Sequence, residues 1–325
     1  MKKISKLFIV FVILFIVVSV IFGAEIIIAN KTPLYPSTDN NYLSDTASLK
    51  SNMKQIIGFG YRNYQNKAAL DNVANFIKSK FETVTDSVWE QKFSVKGVEY
   101  KNIVASINTD KKERIIIGAH YDVCENQDGA DDNASGVVGL IRLAELLKSE
   151  ILNYRIDFVA YTLEEPPFYA SEAMGSAVHA AYLFDNKIPV KGMICLEMIG
   201  YFTDKNNTQS YPFAPLKMFY GDVGDYITVV QQYGNGSFGG KIFKKMKEKN
   251  LLPTKSFKGP KWLRGVDYSD HRNYWKRNYP AVMITNTSFF RNKNYHQKTD
   301  QIQTIDFKRM AAVIHEVKFS ITELK

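Results

Sequence analysis

Cysteine is nearly absent: Cys124 and Cys195 are the only two in 325 residues. That rules out a domain stapled by several disulfides and a zinc site built from four thiolates. Histidine is scarce as well, with five in the chain. There is no low-complexity tract, no internal repeat and no nucleic-acid recognition motif. The formal net charge is +9, but Lys2, Lys3 and Lys6 contribute part of it ahead of the first apolar run, and the rest is scattered among acidic residues. Nucleic acid is therefore not expected as a partner. A hydrophobic content of 45% and an aromatic content of 13% suffice for one large domain.

The N-terminus reads as a targeting segment. MKKISK precedes an apolar run, Leu7–Phe22, interrupted only by Ser19. The run is at the short end for a bilayer span, and its small-x-small cleavage pattern is poor. An uncleaved signal anchor is favoured over a cleaved signal peptide. The Lys-rich end then stays in the cytoplasm and the remainder lies outside the cell membrane, single-pass; a cleaved version is secreted. Residues 1–24 form this segment, and 25–43, with Pro33, Pro36, Ser37 and Thr38, a linker. Residues 44–325 form the main domain. In an exported chain Cys124 and Cys195 either bridge at the rim of the site or remain two thiols. Zinc ligation by either is not expected, because carboxylates and imidazoles suffice. Asn206-Asn207-Thr208 has the form of a glycosylation sequon.

Apolar periodicity predicts helices from Ser44, over Asn66–Phe81, Val137–Lys148, Ala173–Leu183 and Phe307–Leu324, and a helical pair over Ile227–Tyr233 and Ser237–Lys249. Strands are expected over Val88–Val95, Tyr100–Ile107, Arg114–Ala119, Ile156–Leu163, Val190–Leu196, Met218–Gly221 and Ala281–Thr285. Strands alternating with helices imply an α/β fold: a three-layer α-β-α sandwich whose mixed, mostly parallel central sheet is flanked by helices.

Chemistry-bearing residues gather after the apolar runs. IIIGAHYDV carries His120 and Asp122, GADDNASG carries Asp131 and Asp132, and RIDFVAYTLEEPPF carries Glu164 and Glu165. CLEMIGYF carries Glu197, and NYHQKTD carries His296 and Asp300. In open α/β sheets the carboxyl edge of the strands is where ligands bind. A pair of zinc ions needs a shared carboxylate, plus an imidazole and a carboxylate for each metal. His120, Asp132, Glu165, Glu197 and His296 supply that set, and Glu164 remains to take a proton from water. Asp131 is read as a structural residue before a helix, and His179 and His315 as structural or surface residues. The loops around 211–219 and 255–266 are expected to shape the substrate pocket, with Trp262 and Arg264 read first as loop packing.

The segments GAHYDV, GADDNASG, YTLEEPPF, LEMIGYF, DYSDHRNYW and NYHQKTD, in this order, resemble the zinc-dependent aminopeptidases that include the bacterial secreted leucyl-type enzymes. Glutaminyl cyclases share that fold. The resemblance runs from about Ser48 to the C-terminus. It implies that His120 and Glu197 bind one zinc, that Glu165 and His296 bind the other, and that Asp132 bridges them. Glu164 would be the general base, Tyr295 an oxyanion donor, and Asp122 the partner orienting His120. Asp270, His271 and Asp300 would support the site. The best-known members carry Asp at the position of Glu197, so this chain is longer there by one methylene. The implied activity is release of N-terminal residues from peptides with a free N-terminus, through a zinc-activated hydroxide. Two alternatives stand beside it: a glutaminyl-cyclase-like acyltransferase with one zinc, and a non-catalytic peptide-binding relative. The oligomeric state is left open.

Overall fold

The computed structural model describes residues 38–324. The signal segment and most of the linker expected from the sequence lie outside these residues. The last linker positions do not stay extended, since Asn41–Asp45 forms a 3-10 helix. Asp45 then accepts from Arg142 Nε at 2.7 Å and lies 2.9 Å from His315 Nε2. Among the described residues no helix is long and apolar enough to cross a membrane.

Eight strands form one sheet: β1 (Val88–Val95), β2 (Val98–Ile107), β3 (Arg114–His120), β4 (Arg155–Tyr161), β5 (Val190–Glu197), β6 (Ile227–Gln232), β7 (Thr254–Gly259) and β8 (Ala281–Thr285). Their order is β1-β2-β4-β3-β5-β8-β6-β7. The central block β4-β3-β5-β8 is parallel, as is β6 with β7, while β1–β2, β2–β4 and β8–β6 pair antiparallel. The α-helices are α1 (Thr46–Gly58), α2 (Lys67–Glu82), α3 (Gly136–Leu147), α4 (Gly175–Asp185), α5 (Leu216–Tyr220), α6 (Phe238–Lys249), α7 (His271–Lys276) and α8 (Phe307–Thr322).

Side chains of successive strand residues alternate between two cores, as the period of two requires. Ile115, Ile117, Phe158, Ile194 and Ile284 pack in the larger core with α1, α2, α3, α6 and α8. Ile116, Val159, Met193 and Met283 pack in the smaller one with α4 and α7. The molecule is therefore the three-layer α-β-α sandwich expected, with a mixed and mostly parallel sheet. From β3 the chain turns one way to β4 and then crosses back to β5. The strand order thus reverses at β3, and the carboxyl ends of β3, β4 and β5 open into one crevice.

Three expectations are corrected. Ile227–Tyr233 is not a helix but strand β6: its run Ile-Thr-Val-Val is β-branched, and branching at Cβ favours the pleated conformation. Met218–Gly221 is not a strand but falls on the short helix α5, with Gly221 (φ +79°) ending it. The polar edge strand β7, with Lys255 and Lys258, and the helix α7 escaped the apolar pattern altogether. Charges such as these suit an edge. β4 also ends at Tyr161, earlier than expected, and Leu163 at φ +59° turns the chain toward Glu164.

Gly136 is fixed by close approach. A Cβ there would lie 2.4 Å from Asn133 Oδ1 and 2.5 Å from the backbone oxygen of Leu196. The start of α3 thus docks directly on the end of β5. Gly136→Ala should lower unfolding stability by about 1–3 kcal/mol through overpacking; an unchanged denaturation midpoint would show that the two ends are not in contact.

Glu316 on α8 pins the entry to β7. Its carboxylate accepts from the amides of Leu251 at 2.7 Å and Leu252 at 3.2 Å, and from Thr254 Oγ1 at 2.6 Å. Burial outweighs these contacts and pushes its pKa up to about 8, from an ordinary 4.5. The folded protein then holds a proton that the unfolded chain releases, so this carboxyl costs stability as pH rises from 4.5 toward 8. Glu316→Gln mimics the protonated form. Its thermal midpoint should match the wild type near pH 5 and exceed it progressively toward pH 8; a pH-independent difference would mean the carboxylate is ionised in the fold.

Candidate active site

The end of β3 delivers His120, and the end of β5 delivers Glu197. Glu164 and Glu165 follow the turn after β4. Asp132 sits on the irregular turn before α3, and His296 on the loop after β8, in a left-handed conformation with φ +56°. These side chains converge. His120 Nε2 lies 3.5 Å from Asp132 Oδ1 and 3.3 Å from Glu197 Oε2. His296 Nε2 lies 3.2 Å from Asp132 Oδ2 and 3.2 Å from Glu165 Oε2. Asp132 therefore turns one oxygen to each imidazole. Glu164 Oε2 stands off at 4.0 Å from His120 Nε2. The longer Glu197 spans the distance from its strand, and Ser269 donates to its Oε2 at 2.6 Å.

Three buried aspartates hold this arrangement. Asp122 Oδ1 is 3.6 Å from His120 Nδ1, and its two oxygens accept from the amides of Glu164 and Glu165 at 3.2 and 3.1 Å. Asp300 Oδ2 accepts from the amides of Asp131 and Asp132 at 3.2 and 2.9 Å. Asp131 does not face the cluster's imidazoles. It accepts from Gly200 and Tyr201 amides and from Asn286 and Asn292 side chains, at 2.8 to 3.0 Å, as befits the structural residue expected. Asp270 is fully buried, and burial pushes it up to about 7.

His271 is not brought to the cluster. One ring nitrogen, Nε2, lies 2.8 Å from Val266 O, and the ring packs edge-on against Trp275 at 4.4 Å. Burial lowers its pKa to about 4, so it is a neutral donor holding the 260s loop. His179 is likewise buried, 2.7 Å from Tyr274 Oη. Tyr295 stacks on His296 at 3.8 Å, and burial among the carboxylates raises its pKa and keeps its hydroxyl protonated. Sequence reading missed Ser269, although it lies inside the DYSDHRNYW segment, and Arg62, fully buried with Nη2 donating to Gly129 O at 2.7 Å. Neither has a local sequence signal, since both act across the fold. Cys124 and Cys195 are not bridged.

The electrostatics call for positive charge. Burial pushes Glu164, Glu165 and Glu197 up, Glu165 to about 7. Burial works against the imidazolium forms of His120 and His296, yet the surrounding carboxylates raise both far above the histidine range. Asp132, between them, is pulled down despite its burial. Buried carboxylates at this density need cations beside them. The donor geometry fits metal ions. Four donor pairs are separated by 3.2 to 3.5 Å, and the edge of a tetrahedron with bonds of about 2.0–2.1 Å is about 3.4 Å. His296 Nε2 and Asp132 Oδ2 are close but lack hydrogen-bond alignment, and Glu165 Oε1 has no hydrogen-bond partner among the described residues. His120, Asp132 and Glu165 offer donor atoms within 4.8 Å of one another.

The cluster forms one wall of a cavity of about 260 Å³. The rest is mostly apolar: Thr228 and Val230 of β6, Met283 and Thr285 of β8, and the rings of Tyr226, Phe257, Phe289 and Phe290 line it. The two loops expected to shape the pocket do so, through Tyr211, Leu216, Phe257 and Val266. Arg264 also lines it, over the ring of Phe289 at 4.8 Å, whereas Trp262 is exposed.

The model of the family described as Peptidase family M28 matches residues 102–318. The protein named Uncharacterized protein YfbL, from Escherichia coli (strain K12), is 40% identical over 264 residues, covering 79% of this chain and 81% of its own. Leucine aminopeptidase 1 of Aspergillus clavatus is 26% identical over 287 residues, 82% of this chain and 67% of its own. Among solved structures, the LapA aminopeptidase of Legionella pneumophila superposes with a TM-score of 0.68 at 21% identity, over 88% of this chain and 72% of that one. The Bacteroides thetaiotaomicron glutaminyl cyclase bound to N-acetylhistamine gives 0.66 at 19% identity, over 86% and 98%. These two likenesses establish the fold. With a family match that spans β3, β4, β5 and β8 and every residue of the carboxylate–imidazole cluster, the chain belongs to peptidase family M28.

Proposed function

We propose that this chain is a zinc-dependent aminopeptidase that releases the first residue of peptides with a free N-terminus. The observation that carries the reading is Asp132, whose two oxygens face separate imidazole–carboxylate pairs. His120 and Glu197 would hold one zinc ion, and His296 and Glu165 the other, with Asp132 shared. Bound there, the ions would supply a Lewis acid for the peptide carbonyl and lower the pKa of the attacking water.

The chain's own groups do the rest. Glu164 stands clear of the shared carboxylate and lines the cavity, so it takes the proton of the water as that oxygen attacks the carbonyl. It then passes the proton to the amine as the C–N bond breaks. The protonated Tyr295 hydroxyl donates to the developing oxyanion. The carboxylates on the cavity wall attract the substrate's ammonium group. The apolar floor built by Val230, Phe257 and Met283 takes the first side chain, which favours a large apolar residue.

The metal-loaded full chain, in detergent, should release leucine or phenylalanine from aminoacyl-p-nitroanilides, and a zinc chelator should abolish this. Glu164→Gln should retain its metal and lose about 100- to 10,000-fold in kcat. A folded, zinc-loaded chain that releases nothing sinks the reading. Cyclisation of N-terminal glutamine by that same preparation would move the protein to the acyltransferase alternative, and neither reaction would leave peptide binding.

Val230→Phe tests the floor. It should reduce kcat/KM for leucine and phenylalanine substrates by about 10- to 200-fold, as expected for losing room for a few methylenes, while alanine substrates are cleaved nearly as before. Equal loss on all substrates would show that the first side chain does not enter this cavity.

A further inference from the structure

Cys124 takes no part in the roles assigned above, and carboxylates and imidazoles give the sequence no reason to include it. It lies on the loop leaving β3, four residues past His120, and is only half-buried. The loop is fastened on both sides of it. Val123 N donates to Arg62 O at 3.1 Å, and Asn63 Nδ2 donates to the oxygen of Glu125. Glu125 itself is in the left-handed region at φ +51°, so the chain turns away directly after the cysteine. These ties hold the thiol at the cluster. Sγ of Cys124, a carboxylate oxygen of Glu165 and a ring nitrogen of His296 all lie within 4.8 Å of one another.

A second observation does not depend on the thiol. Glu165 is 4% exposed, and among the described residues its Oε1 has no hydrogen-bond partner, nor has the buried Nε2 of His296. Two buried polar atoms beside Cys124 thus lack an aligned hydrogen bond among the described residues. Carboxylate oxygen, imidazole nitrogen and sulfur together are a set that suits zinc, and sulfur discriminates against magnesium, calcium and manganese.

We infer that Cys124 is a sulfur donor to the cation held by Glu165 and His296. The inference rests on the metal reading proposed above and adds a ligand to one of its two positions. On binding, the S–H bond breaks, the proton leaves to solvent, and the sulfur lone pair forms the bond to the metal. The two positions then differ in kind. The His120–Glu197 position has only nitrogen and oxygen donors, while the His296–Glu165 position has sulfur as well. The second should retain zinc more strongly and be the one lost when thiols are oxidised or alkylated.

The test uses the metal-free full chain in detergent, titrated with cobalt(II). Wild type should develop visible ligand-field bands together with intense near-ultraviolet absorption from thiolate-to-cobalt charge transfer. Cys124→Ser and Cys124→Ala should keep the visible bands and lose the near-ultraviolet band. In competition with a chromophoric chelator they should bind one of their zinc ions at least about tenfold more weakly. Visible bands without charge transfer in wild type overturn the assignment. So does charge transfer that persists in the variants, which would assign it to Cys195. Failure to bind any cobalt or zinc overturns the metal reading as well. If both variants fail to fold, Cys195→Ala decides in their place: charge transfer kept in that variant assigns the band to Cys124, and charge transfer lost there overturns the assignment.

Discussion

Four carboxylates share one buried space at the end of β3, and everything near them is arranged to keep like charges together. Left alone, Asp132, Glu164, Glu165 and Glu197 would repel one another or take up protons. The fold holds them in place with three anchoring aspartates. Asp122, Asp131 and Asp300 accept backbone amides from the very turns that carry the cluster. Each anchor gives its oxygens to N–H groups that would otherwise be orphaned in the interior. The turns become rigid, and the acidic groups they present have no freedom to move apart. Positive charge is the natural completion of such a site.

The architecture supplies the rest of the constraint. Parallel strands β3, β4 and β5 end at the same level, so residues far apart in sequence meet without long loops. His120 and the Glu164–Glu165 pair are coupled through a single side chain, Asp122, which touches both. Glu197 is steadied by a local device: Ser269 donates to Oε2, the oxygen that faces His120.

Much of this is legible in the sequence, and for a definite reason. His120, Asp132, Glu165, Glu197 and His296 are all in motifs that follow apolar runs, and a buried parallel strand is a run of apolar residues in any context. What escaped reading was what depends on partners distant in the chain. β6 is an apolar run too short to separate from a helix by periodicity, and pairing with β7 and β8 settles it as a strand. β7 is polar because it lies at the edge. His271 sits in a motif rich in site residues, yet its ring is turned toward Trp275 and Val266, a direction that no spacing encodes. Ser269 and Arg62 act across the fold on groups more than sixty residues away. Residues 1–37 remain an expectation from composition alone, because they lie outside the described structure.

The placement of β6 has a consequence for the cavity. The strands whose ends carry the reacting groups are β3, β4 and β5, while the floor of the cavity comes from β6 and β8. The sheet thereby separates two traits. Side chains at positions 228, 230 and 283 can change in size without touching an anchor of the carboxylate cluster, so the shape of the cavity can be altered independently of the cluster.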